Sequence, residues 1–113
     1  MNAPAACTPR ARCPRCRRPQ SVCYCAHLPT LAPRTKVIIL QHPRERDMAI
    51  GTARMASLCL TGSELHVGID WSHHAPLAAA LADPTRTPIL LYPGPGARDI
   101  LREPPSGPVT LIA

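Results

Sequence analysis

Lys36-Val37-Ile38-Ile39-Leu40-Gln41-His42 is a short, β-branched and unbroken apolar run, stopped by Pro43. It shows no alternation of apolar and polar positions. A run of this length and kind describes a strand covered on both faces, and such strands belong to parallel sheets flanked by helices.

Reading downstream, Met48 to Leu60 places apolar residues at helical spacing. Ile50, Ala53, Met55 and Leu58 form its inward stripe, Cys59 reads as a core position, and Thr61-Gly62 ends it. Leu65 to Ile69 is a second strand candidate. Pro76 to Leu81 is a short Ala/Leu-rich helix with proline in its first turn. Thr87 to Tyr92 is a third strand, broken by Pro93-Gly94-Pro95-Gly96. Ala97 to Arg102 is a helical turn, and Pro108 to Ala113 begins a fourth apolar run. The alternation of strand and helix predicts an α/β domain with a parallel sheet.

Ligands of open α/β sheets sit beyond the carboxyl ends of the strands. Two loops occupy that place: His42-Pro43-Arg44-Glu45-Arg46 with Gly51-Thr52, and Tyr92-Pro93-Gly94-Pro95-Gly96. Taken singly, the first reads equally as a solvated charge run and the second as a plain turn. His73-His74 reads as a surface pair on a loop.

The composition of the 113-residue chain fits one small domain with an aliphatic core, since Phe is absent and aromatics are 3%. Fifteen prolines exclude a long helical bundle or coiled coil. The longest apolar run, Ala75 to Ala82, falls far short of the ~20 residues that cross a membrane. The start, Met1-Asn2-Ala3-Pro4, has no basic residues followed by an apolar stretch. No membrane association is therefore expected, and the expected location is cytoplasmic.

Upstream of the first strand the character changes. The net charge is +6, and residues 1–36 carry Arg10, Arg12, Arg15, Arg17, Arg18, Arg34 and Lys36 with no acid. The remainder sums to about −1, so the whole excess lies in the first third. Arginine pairs with phosphate through a planar fork and stacks on bases. A one-sided arginine cluster (Arg10, Arg12, Arg15, Arg17, Arg18) is the footprint expected of a nucleic-acid binder, against the plainer reading of a solvated basic tail.

The same segment holds Cys13-x2-Cys16-x6-Cys23-x-Cys25. Four thiolates this close can close a tetrahedral shell around Zn2+. Two other readings exist. A disulfide framework needs an oxidising compartment. A redox Cys-x-x-Cys normally opens a helix after a strand, and no strand precedes Cys13. Four thiolates leave no open position for water, so the centre reads as structural. Cys7 lies outside the spacing, and His27 reads as a surface or supporting residue. The chain thus divides into a basic zinc-binding segment, 1–33, and an α/β part, 34–113.

The cysteine spacing, QHPRERDMAIGTARMASLCL (Gln41–Leu60) and LLYPGPGARDI (Leu90–Ile100) together resemble the DTW-domain proteins, tRNA-uridine aminocarboxypropyltransferases. The resemblance runs from about Arg12 to Ala113. It implies transfer of the 3-amino-3-carboxypropyl group of S-adenosyl-L-methionine to a uridine of tRNA, with the ring imide nitrogen as nucleophile and methylthioadenosine leaving. The implied fold is SPOUT-like, with an N-terminal zinc element. By position, Cys13, Cys16, Cys23 and Cys25 correspond to zinc ligands, and Tyr92, Pro93 and Gly94 to a loop of the cofactor pocket. Arg44, Glu45 and Thr52 match the family's first loop, near pocket or RNA.

The family's Asp-x-Thr-Trp motif, expected just after a strand like Pro108–Ala113, does not occur in the sequence; Asp70-Trp71 lacks the Thr and follows the second strand. The expectation is therefore a truncated copy with its catalytic residue unassigned. The alternative is a non-catalytic zinc-bound RNA-binding module.

Overall fold

The computed structural model describes residues 11–46 and 51–113, so Cys7, Arg10, Met48 and Ile50 lie outside the described residues. The sheet part runs β1 (Lys36–Gln41), α1 (Thr52–Cys59), β2 (Glu64–Val67), α2 (Ala75–Leu81), β3 (Thr87–Leu90) and β4 (Val109–Ile112). All pairings are parallel, in the order β2-β1-β4-β3. The apolar run Lys36–Gln41 is one of the two central strands, as its unbroken pattern requires. Ile38 and Ile39 point to opposite faces and are 0% and 7% exposed.

The register assigns the two faces. Ile38 lies beside Ile112, and both pack against Leu77 and Ala80 of α2, with Leu40 and Trp71 at the margin. Fully burying an aliphatic side chain of this size contributes about 1.5–3 kcal/mol, so this small cluster is the main apolar support of the sheet. The same face carries a polar chain along β1 and β2. Lys36 Nζ lies 2.8 Å from Glu64, whose other oxygen is 2.9 Å from His66 Nε2.

Several boundaries differ from the sequence expectation, each for a physical reason. The second strand stops at Val67, because the chain turns at Gly68 beneath the Trp71 ring and leaves Ile69 exposed. A Cβ on Gly68 would lie 3.2 Å from Trp71. His74 is not a surface residue. Its ring packs edge-on against His66 and Trp71, at 4.6 and 5.0 Å between centroids, while His73 is exposed.

No residue of α1 is fully buried, and Cys59 is only half-buried. The helix is eight residues long, and Cys59 is its last. Its carbonyl accepts from Leu31 N–H at 2.8 Å, while Thr61 N–H donates to Leu31 O at 2.8 Å. These two bonds form the parallel Leu31–Leu60 bridge that ties the N-terminal segment to the sheet part.

Between β3 and β4 the helical turn read over Ala97 to Arg102 is present, closing at Asp99–Glu103. The Asp99 carbonyl accepts from Arg102 and Glu103, and its carboxylate from Leu101. Pro93, Pro95, Pro104 and Pro105 flank this turn and supply no N–H, which prevents its extension. Pro88 has its own logic. Thr87 and Leu91 donate to Pro108 and Ile112 across the β4 side, so Pro88 faces the open edge, where a missing N–H costs no ladder bond.

Candidate metal centre and nucleic-acid interface

Residues 12–27 fold as a knuckle. Arg12 and Pro19 form an antiparallel bridge, followed by 3-10 turns at Gln20–Val22 and Cys25–His27. The turn closes through Cys13 N–H to Arg18 O (2.9 Å) and Arg17 N–H to Cys13 O (2.8 Å). Closure puts Arg17 at φ 61°, a left-handed conformation that a non-glycine residue adopts at a cost of roughly 1–2 kcal/mol. Something outside the backbone must offset that cost.

The cysteines supply it. Cys13, Cys16, Cys23 and Cys25 bring their sulfurs within 4.8 Å of one another. Sγ–Sγ separations are 3.7 Å for Cys13–Cys25 and 3.7 Å for Cys16–Cys23. A tetrahedron with Zn–S of about 2.3 Å has edges of about 3.8 Å, so the cluster fits a zinc ion. Cys13 and Cys16 are buried, and Cys23 and Cys25 half-buried. His27 is exposed and not part of the group.

Backbone amides prepare the thiolates. The Cys13 thiol is lowered to about 6, first by the Cys16 and then the Arg15 backbone N–H. For Cys16, burial is the largest influence and opposes ionisation, yet the Arg18 N–H, the Cys23 thiol and the Tyr24 N–H together bring it down. Cys25 is pushed up to about 12, chiefly by burial and then by its sulfur neighbours. Four thiolates cannot share so small a volume without a cation, and a divalent ion resolves this conflict.

Around the cluster the side chains are cationic. Arg12, Arg15 and Arg17 are exposed, and Arg18 stacks on the Tyr24 ring at 5.2 Å from its centroid. Burial raises the Tyr24 phenol most, followed by the nearby Cys16; Arg18, Cys25 and Arg54 act more weakly, the two arginines lowering it. Tyr24 carries no sequence signal that marks it as the stacking partner of Arg18.

The carboxyl ends of the strands form a second region. Along β3 and the loop after it lies a groove of about 960 Å³, lined by Pro88, Leu90, Leu91, Tyr92, Pro93 and Ile100 among others, with Arg98 and Glu103 as its charged members. Gly94 belongs to the same loop but does not line the groove. Tyr92 is 73% exposed, so the groove is open. Arg44 and Glu45 stand in a 3-10 turn after β1, and Thr52 opens α1; none of the three lines this groove. The turn is fastened by His42 Nδ1, which accepts from Arg44 N–H at 3.1 Å. Beneath it Gln41 is 2% exposed and leans its amide toward Glu45 O at 3.5 Å.

A four-cysteine cluster that could hold a metal ion, rich in neighbouring arginine, is thus tied to a four-stranded parallel α/β sheet. Residues 10–107 match the DTW domain, and the chain belongs to that family. It is 31% identical over 110 residues to tRNA-uridine aminocarboxypropyltransferase 2 of Mus musculus, covering 91% of this chain and 37% of that protein. The protein of the same name from Macaca fascicularis is 32% identical over 110 residues, again 91% of this chain and 37% of the relative. That from Drosophila melanogaster is 32% identical over 111 residues, 91% and 43%. The chain thus spans well under half the length of these relatives. No solved structure matches it. Among the described residues, no helix is long and apolar enough to cross a membrane.

Proposed function

We propose that this chain acts in aminocarboxypropylation of a tRNA uridine, with residues 1–33 as a zinc-bound RNA-docking segment and residues 34–113 as part of the transfer domain. The observation that carries the reading is one chain combining the DTW match with a four-cysteine cluster whose exposed neighbours are Arg12, Arg15 and Arg17. Cys13, Cys16, Cys23 and Cys25 would hold Zn2+ as a structural ion. Tyr92 and Pro93 line the groove that would receive part of S-adenosyl-L-methionine, with Gly94 in the same loop. Bound there, the donor would supply a carbon activated by its sulfonium for the uridine imide nitrogen, with methylthioadenosine as the leaving group. The cytoplasm is the compartment we assign.

A second reading, a zinc-bound RNA-binding module without turnover, is favoured by the openness of the groove around Tyr92. One assay separates the two. Zinc-loaded chain is incubated with S-adenosyl-L-methionine and unmodified tRNA, and both methylthioadenosine and modified uridine are measured. Stoichiometric appearance of both supports transfer. Saturable tRNA binding with neither product leaves the binding module.

A further inference from the structure

We propose that this chain forms a two-fold dimer by pairing the open edge of β3 with the same edge of a second copy, antiparallel and centred on Leu90. The inference goes beyond the transfer reading and does not depend on it.

The backbone sets the register. β3 pairs on one side only, and Thr87 and Leu91 donate to β4. Donors alternate along a strand, so the Leu90 and Tyr92 N–H groups face the open side, as do the Pro88 and Leu90 carbonyls. Tyr92 precedes Pro93, which keeps it extended. Centred on Leu90, the two strands exchange both N–H···O bonds between their Leu90 residues, and each Tyr92 N–H reaches the second copy's Pro88 carbonyl. Pro88 then lies at the end of the ladder, where it needs only to accept. The same register sets Leu90 against Leu90 and Tyr92 against Pro88.

The surface matches this use. The other sheet edge, β2, carries Glu64 and His66 in a chain of charge with Lys36, whereas residues 87–97 hold no charged side chain. Leu90, Leu91, Tyr92 and Ile100 are 66%, 65%, 73% and 60% exposed. With Pro88 and Pro93 they present on the order of 600 Å² of apolar surface, near the roughly 800 Å² that each partner buries in a standard interface. The core inside is small by comparison: Ile38, Leu77, Ala80 and Ile112 form its cluster, and no residue of α1 is fully buried. Arg98 and Glu103 line the same surface, and neither has an ion-pair partner among the described residues. A patch with one charge of each sign is self-complementary under a two-fold axis.

Sedimentation equilibrium of the zinc-loaded full chain over a concentration series is expected to reach twice the 12.2 kDa monomer mass. Leu90→Lys is expected to raise the dissociation constant at least about tenfold, because it sets like charges across the axis. Its circular dichroism and zinc content are expected to match wild type, since Leu90 is mostly exposed. Amide exchange followed by NMR tests the register without any variant: the Leu90 and Tyr92 N–H groups are expected to slow as concentration rises. A chain that stays monomeric at every concentration would overturn the proposal, including one that captures an added apolar strand peptide instead. A dimer whose Leu90 and Tyr92 amides stay unprotected, or one untouched by Leu90→Lys, would place the contact elsewhere and overturn it too. Assembly beyond two copies would overturn the two-fold.

Discussion

Replacing Cys16 by serine is expected to abolish stoichiometric zinc binding and to unfold residues 12–27. Cys16 is 4% exposed, and the Arg18 and Tyr24 amides converge on its sulfur. Serine removes the thiolate on which those amides and the ion depend. Little else holds the segment: among its described residues only Cys13 and Cys16 are buried. Structural zinc contributes on the order of 10–16 kcal/mol to the folding of small cysteine-rich elements, far more than this knuckle could recover from packing. Metal analysis should show zinc falling from one per chain to near none. The tRNA affinity should fall at least about tenfold, because the arginines lose their fixed arrangement. A chelator strong enough to strip zinc should reproduce both effects in the wild type. The sheet should persist, since Ile38, Leu77, Ala80 and Ile112 pack without the knuckle.

The second large effect concerns salt. Four guanidinium groups, Arg12, Arg15, Arg17 and Arg18, belong to the knuckle. Each phosphate neutralised releases about 0.7–0.9 of a counterion, so four contacts predict a loss of affinity of roughly 50- to 150-fold between about 50 and 200 mM salt. A shallow dependence would mean that the apolar groove beyond β3, not the arginine face, carries the binding. The acids of residues 37–113 nearly cancel their cations, so the sheet part contributes little to this slope.

Much of this architecture is legible in the order of the amino acids alone. The run Lys36–Gln41 announces a central strand, because burial on both faces demands an unbroken apolar pattern. The cysteine spacing announces the metal cluster, because ligand geometry is local. What is not legible comes from contacts between distant residues. The Leu31–Leu60 bridge ties the end of α1 to the N-terminal segment, a contact between residues 29 apart that no local pattern marks. His74 reads as a loop residue, and only the path of the chain into α2 sets it against His66 and Trp71. The turn at Asp99 is the helical turn read from the sequence, and the prolines around it withhold the donors a longer helix would need. The sequence reading offers two loops at strand ends; the Tyr92 loop lines a groove with β3, and Arg44, Glu45 and Thr52 of the first loop do not.

Ultraviolet cross-linking of the zinc-loaded chain to unmodified tRNA, with the cross-linked peptides identified by mass spectrometry, locates the docked RNA. Docking on the arginine face predicts cross-links at Tyr24 and within residues 12–18, lost when zinc is removed. Cross-links confined to the Tyr92 groove, or a pattern unchanged by zinc removal, would contradict it.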